Sequence, residues 1–147
     1  MSEKIKTVEI AGAIGTALNT LVGTLSPAPT VRWEPNRART GLTDDSVTRP
    51  NVLIRVHPVY NAGFAQSTKL REYDVTIEVQ TDYADDPGQL NLAEIEQAVG
   101  EWVVSSPQLS LTSGTFRHLT LPAAPRRDET LDRVQVVTWE CQVGLMF

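Results

Sequence analysis

The chain has 147 residues, 41% hydrophobic and 21% charged, with a formal net charge of -5 and one cysteine. That length fits a single domain with a real core, and the lone Cys141 excludes an internal disulfide framework. The acidic total lacks the basic footprint of nonspecific nucleic-acid binding, and no apolar run reaches the roughly 20 residues that cross a bilayer.

The first segment, Ser2 to Leu25, reads as a helix. Ile10, Ile14, Ala17, Leu18, Leu21, Val22 and Leu25 recur at spacings of three and four and so share one stripe. Lys4 and Lys6 are expected to face water, with Ser2 at the cap position. Gly12, Gly15 and Gly23 each weaken the helix by roughly 1 kcal/mol relative to Ala, so it depends on tertiary contacts. "SPAP" at 26–29 ends it, and "MSEKIKTVEI" has no signal-peptide apolar region, which points to the cytoplasm.

Between Thr30 and Arg49 the periodicity fades. "VRWEP" suggests a short strand. "NRARTGLTDDSVTR" is a long Arg-rich loop within about 32–49, and loops of that length are usually functional or mobile. "NVLIRVHPVY" then alternates Val52, Ile54 and Val56 against Leu53, Arg55 and His57, as a strand does. "YDVTIEVQ" sets Tyr73, Val75, Ile77 and Val79 against Asp74, Thr76, Glu78 and Gln80, which predicts one buried and one wet face. The two strands suggest a long antiparallel hairpin.

"DYADDPG" is turn chemistry. A helix follows, with Asn91 read as its N-cap, Glu94 completing a capping box, and Leu90 and Ile95 forming a hydrophobic staple. Its buried stripe is Leu92, Ile95, Val99 and Trp102, with Ala98 and Val103. "LSLT" and "FRHLTL" read as short strands and "PAAPRRDET" as a turn-forming linker. The last run, "RVQVVTWECQVGLMF", switches parity between Val136 and Val137, which means a β-bulge or a strand buried on both faces. The expected fold class is α+β, one domain over residues 1–147: an antiparallel or mixed β-sheet of long hairpins packed against two helices.

The charge is segregated along the chain. Arg32 to Arg71 holds seven basic and three acidic residues, a net +4, whereas Glu72 to Phe116 holds nine acidic residues and neither Lys nor Arg, a net -9. Residues 1–31 and 117–147 each balance at zero, so the sum returns -5. Asp82, Asp85 and Asp86 are the best metal candidates, but their spacing does not match a calcium loop, and acids ahead of a helix also suit its positive end. His57 and His118 have no partner at zinc-ligand spacing, and both read as partly exposed strand residues. Cys141 sits among apolar neighbours as a buried structural thiol. The chain has no GxSxG elbow, no GxxxxGK[ST] phosphate loop and no GxGxxG turn. "GAIG" at 12–15 reads as a close-packing device. Trp33, next to Arg32 at the mouth of the long loop, has the chemistry of an interface anchor or of packing under the loop. No catalytic residue, metal or cofactor is expected.

Basic and acidic flanks on one subunit allow head-to-tail packing, which closes into rings or runs on as filaments; a solvated acidic face is the alternative. "REYDVTIEVQTDYADD" followed by "LNLAEIEQAVGEWV", with the closing "VQVVTWECQVGLMF", resembles the tail terminator (tail completion) proteins of long-tailed bacteriophages. The resemblance spans most of the chain as a pattern of elements, and the loop at 32–49 is its least comparable part. It implies an α+β subunit without catalytic residues, in a hexameric ring that caps the tail tube and faces the head connector. The implied partners are further copies of itself, the tail tube protein and the head–tail connector or stopper. DNA only passes through the channel, no membrane is involved, and the place of action is the virion. In that setting Arg32, Trp33, Arg37, Arg39 and Arg49 are candidate subunit or partner contacts. Asp82, Asp85 and Asp86 either line the lumen, where carboxylates repel phosphates, or dock on the Arg37 and Arg39 loop of a neighbour. The alternatives are another neck component, such as a head–tail stopper or adaptor, and a small cytoplasmic enzyme or ligand-binding domain with a polar pocket around His57 or His118.

Overall fold

The computed structural model describes residues 3–33, 50–59, 70–82, 90–105, 107–112, 114–121, 124–130 and 134–146. In chain order these form α1 (Glu3–Val22), β1 (Thr30–Trp33), β2 (Asn51–Pro58), β3 (Leu70–Asp82), α2 (Leu90–Val104), β4 (Thr115–Thr120), β5 (Arg126–Thr130) and β6 (Val134–Met146). The fold is α+β, as the order of periodicities predicts. The strands lie in the order β1-β2-β3-β6-β4, and β5 also pairs with β6. Among the described strands only the β1–β2 pair is parallel; the other pairs are antiparallel.

The expected hairpin exists: β2 and β3 pair from Asn51↔Gln80 to Pro58↔Tyr73. The centre of the sheet is the longer β3–β6 ladder, from Leu70↔Met146 to Asp82↔Val134. Two elements share the other edge of β6, β4 against residues 142–146 and β5 against residues 134–138. β5 falls within the stretch "PAAPRRDET" that composition marks as a linker, so its second half is strand. "LSLT" at 109–112 is not one. Leu109 is nevertheless buried against the core, and Glu9 of α1 accepts hydrogen bonds from the Thr112 backbone N–H and from its hydroxyl, so this stretch is fastened to α1.

Both helices lie on one face of the sheet. α1 covers β1 and β2 while α2 covers β3 and β4, and the two helices touch. α1 buries Ile10, Ala11, Ile14, Leu18 and Val22; of the expected stripe, Ala17 and Leu25 are half-buried and Leu21 is exposed, while Ala11 joins it. Its helical hydrogen bonding ends with Gly23 N–H donating to Asn19 O at 3.0 Å, before the "SPAP" segment, where the Ser26–Pro27 peptide is cis. Gly15, the second glycine of "GAIG", lies against Ile54 and Val31, so an added Cβ would sit 3.7 Å from Ile54 Cδ1. Gly12 has open space and serves no such packing.

α2 buries Leu92, Ile95, Val99 and Val103, with Ala98 and Trp102 packed partly against the same core. Its start differs from the sequence expectation. The helix already includes Leu90, so Asn91 lies inside it rather than at the cap. Leu90 is 74% exposed and makes no staple with the buried Ile95.

β6 settles the parity question. Its register against β3 is continuous from Val134 to Met146, so there is no bulge at Val136 and Val137, and residues 134–139 are buried on both faces. The irregularity is in β4, where the register shifts between Phe116 and His118. The face directed at the helices carries Tyr73, Val75, Ile77 and Val79 beside Val143, Cys141, Trp139 and Val137. Every one of these side chains is buried, and burial of a large apolar side chain contributes about 1.5–3 kcal/mol.

Candidate functional site

The face of the sheet opposite the helices is not the wet surface that alternation predicts. Asp74 is exposed, but Leu53, Arg55, Glu78, Gln80 and Thr138 are all buried. At the centre, Arg55 Nη1 donates to Glu78 Oε2 at 2.6 Å, with side-chain exposures of 4% and 1%. Gln80 Nε2 donates to the other carboxylate oxygen, Oε1, at 3.4 Å. Register explains the pairing. Arg55 stands opposite Thr76 and Leu53 opposite Glu78, so the two charges are diagonal neighbours on one face, within reach of long side chains.

A cleft of about 290 Å³ opens over this pair. His57, Asp74 and Thr76 come from β2 and β3, and Arg126, Thr138 and Glu140 close the far side. Two weaker contacts line its rim: Gln142 Nε2 donates to Asp74 Oδ1 at 3.4 Å, and Arg126 Nη1 stands 3.7 Å from Glu140 Oε1 with both side chains more than half exposed. The buried Thr138 hydroxyl has no hydrogen-bond partner. Guanidinium, carboxylate, imidazole and hydroxyl groups alternate here, which suits a polar ligand rather than an apolar one. Among the described residues no three His, Cys, Asp or Glu side chains are grouped to hold a metal ion.

His118 is elsewhere. It stands opposite Gly144 and its ring lies on the glycine; a Cβ there would be 2.4 Å from His118 Cε1. Cys141 is buried in the core, and desolvation pushes its thiol up to about 12, so it is not a nucleophile at neutral pH.

A second concavity lies on the helix-bearing face. The β4 and β5 ladders leave β6 residues 139–141 unmatched along that edge. Trp139, Leu121 and Pro125 there meet Gly100 and Val104 of α2, forming an apolar groove of about 460 Å³. Glu96 and Glu101 stand on its rim, and Val104 is 69% exposed.

Of the residues singled out from sequence, Arg32 and Trp33 lie on β1 at one edge of the sheet, with Trp33 39% exposed. Asp82 closes β3 at the end paired with Val134 and is partly buried. Arg37, Arg39, Arg49, Asp85 and Asp86 fall outside the described residues. The Arg55–Glu78 pair escaped the sequence reading because each residue, taken alone, occupies a polar position of an amphipathic strand. It also removes one charge from each of the segregated blocks, leaving +3 and -8.

No protein-family model matches the chain, and no curated protein does either. Sixteen solved chains match it in fold. One, which carries no functional description, is 14% identical with a TM-score of 0.58 over 100% of this chain and 97% of its own. Another, described as the virion of a native gene transfer agent particle, is 21% identical with a TM-score of 0.48, covering 97% of this chain and 93% of that one. The first of these shows the fold to be shared from end to end.

Proposed function

We propose that this protein is a tail terminator of a long-tailed bacteriophage: a ring-forming structural subunit that caps the tail tube, ends its polymerisation and joins it to the head connector. The observation that carries the reading is the placement of unlike surfaces at opposite edges of one sheet. The short β1 edge presents Arg32 and Trp33, while the far side presents an apolar groove with a carboxylate rim. Opposite, complementary edges make heterologous contacts, and these close into rings when the rotation allows. The sequence resemblance to the terminator family suggests the place in the particle: tube protein below, connector above, and DNA passing through a lumen.

Native mass spectrometry of the purified protein, with negative-stain images of the same sample, tests this reading. A closed ring of six supports it, and a strict monomer at all concentrations counts against it. Capping separates a terminator from another neck protein: the terminator stops growth of tube protein at one end, whereas a stopper binds the filled head. Asp82, Asp85 and Asp86 take one of two roles in the ring, lining the lumen or docking on a neighbour's Arg37 and Arg39. Intact rings from the Arg37→Glu/Arg39→Glu variant would remove the docking role.

A second reading has its own observation. The cleft is lined by Arg55, His57, Asp74, Thr76 and Thr138, the mix of charged and polar groups that a small polar ligand site would require. A saturable shift of the His57 ring signals on titration with small zwitterions or anions would favour it, and an unchanged spectrum would dismiss it.

A further inference from the structure

Resting on the reading of the cleft over Arg55 and Glu78 as a small-ligand site, we propose that its ligand is a zwitterion with a primary ammonium group. Asp74 and Glu140 hold the ammonium, and Arg126 holds the anionic end. The cleft exists because short side chains stand among long ones. Thr76 and Thr138 are diagonal neighbours on β3 and β6, and the longer side chains of Arg55, Glu78, Arg126 and Glu140 surround them. Its volume of about 290 Å³ is at the small end for ligand pockets and suits a molecule of a few heavy atoms.

The charges define the ligand's class. Two guanidinium groups and three carboxylates line the cleft. Arg55 and Glu78 neutralise each other at 2.6 Å, which leaves Asp74, Glu140 and Arg126 to meet a ligand. Asp74 is exposed, and its carboxylate accepts from the neutral amide of Gln142 at 3.4 Å; among the described residues no Lys or Arg pairs with it. Glu140 stands opposite Thr76 and diagonal to Asp74. Diagonal neighbours on one sheet face are about 7–8 Å apart, so one ammonium group between them can donate to both carboxylates and to the Thr76 hydroxyl. Arg126 lies 3.7 Å from Glu140, beyond direct hydrogen-bond distance. A guanidinium has about five N–H donors, so Arg126 can hold Glu140 and an anionic ligand group together.

Other ligand classes fit less well. A simple anion meets more carboxylates than guanidinium groups, with Arg55 already held by Glu78, and is repelled. A quaternary ammonium ion is recognised by aromatic faces, and no Phe, Tyr or Trp lines the cleft. A metal ion wants several ligands converging, and no three His, Cys, Asp or Glu side chains are so grouped among the described residues. A primary ammonium group carries the N–H donors that these oxygen acceptors need, and Arg126 at the opposite side selects a zwitterion over a simple cation.

Titration of the purified protein with β-alanine, propionate, propylammonium and β-alanine betaine tests the assignment. The His57 ring signals are the readout, since His57 lines the cleft opposite Asp74. β-Alanine is expected to give a saturable shift, and the other three probes to bind at least about tenfold more weakly, because each lacks a charge-assisted contact. Asp74→Asn should weaken β-alanine by at least about tenfold, and Arg126→Gln should bring it to the level of propylammonium. Both side chains are exposed, so both variants are expected to fold. Any of the other probes binding as tightly as β-alanine overturns the zwitterion assignment and leaves the cleft reading intact. β-Alanine binding unchanged in the folded variants does the same. Unchanged signals with all four probes refute the cleft reading, and the assignment with it. If a variant does not fold, the probe series on the wild-type protein decides.

Discussion

Removing Arg55 leaves a carboxylate without its partner in the interior of the sheet. Glu78 is 1% exposed, its Oε2 accepts from Arg55 Nη1 at 2.6 Å, and its Oε1 accepts from Gln80 Nε2 at 3.4 Å. Breaking one side of such a pair costs about 3–5 kcal/mol, because the remaining charge stays buried and uncompensated. Domains are stable by roughly 5–15 kcal/mol, so Arg55→Ala consumes a large share of the total. At about 2–4 °C per kcal/mol for a chain of this size, the expected fall in Tm is roughly 6–20 °C. The assay is urea and thermal unfolding of Arg55→Met, Glu78→Leu and the double variant. Each single change should be strongly destabilising, and the double change should recover most of the loss, since apolar replacements remove both charges together. Arg126 and Glu140 provide the exposed control, with side-chain exposures of 56% and 60%, and their removal should cost no more than about 1 kcal/mol. A loss below about 1 kcal/mol for Arg55→Met, or a coupling energy near zero, would refute the buried-pair reasoning.

Further outcomes follow from three single sites. Gly144→Ala places a methyl 2.4 Å from His118 Cε1 and should cost about 1–3 kcal/mol by overpacking, with His118→Ala in the same chain relieving most of it in urea unfolding. Cys141 should resist thiol reagents at pH 8 in the folded protein and react fully in denaturant, because burial raises its pKa from 9.0 to about 12. The same shift makes the folded state hold the thiol proton more tightly, so stability is full below pH 9 and declines between about 9 and 12; Cys141→Val should flatten that decline relative to wild type. Trp139→Ala should cost about 3–5 kcal/mol in the same unfolding assay, since the indole is 1% exposed and is wedged between β6 and α2.

The sequence by itself determined the α+β class, both helices, the β2–β3 hairpin and most of the core. Those features follow from periodicity, which is local: Leu92, Ile95, Val99 and Val103 mark a buried stripe whatever they pack against. Tertiary structure decided what periodicity cannot encode. "RRDET" became a strand because β6 had an open edge beside it, despite a composition that favours a turn. Asp74, Thr76, Glu78 and Gln80 share a face, yet only Asp74 is exposed, because burial on that face depends on what else approaches it. Arg55 and Glu78, 23 residues apart, became partners through a strand register that a single sequence does not specify across the intervening loop. The groove under Gly100 likewise needs α2, β6 and the ends of β4 and β5 in one place. Local pattern fixes which residues seek burial; only the assembled sheet brings together groups from distant parts of the chain, and the surfaces that would bind a partner are made of such groups.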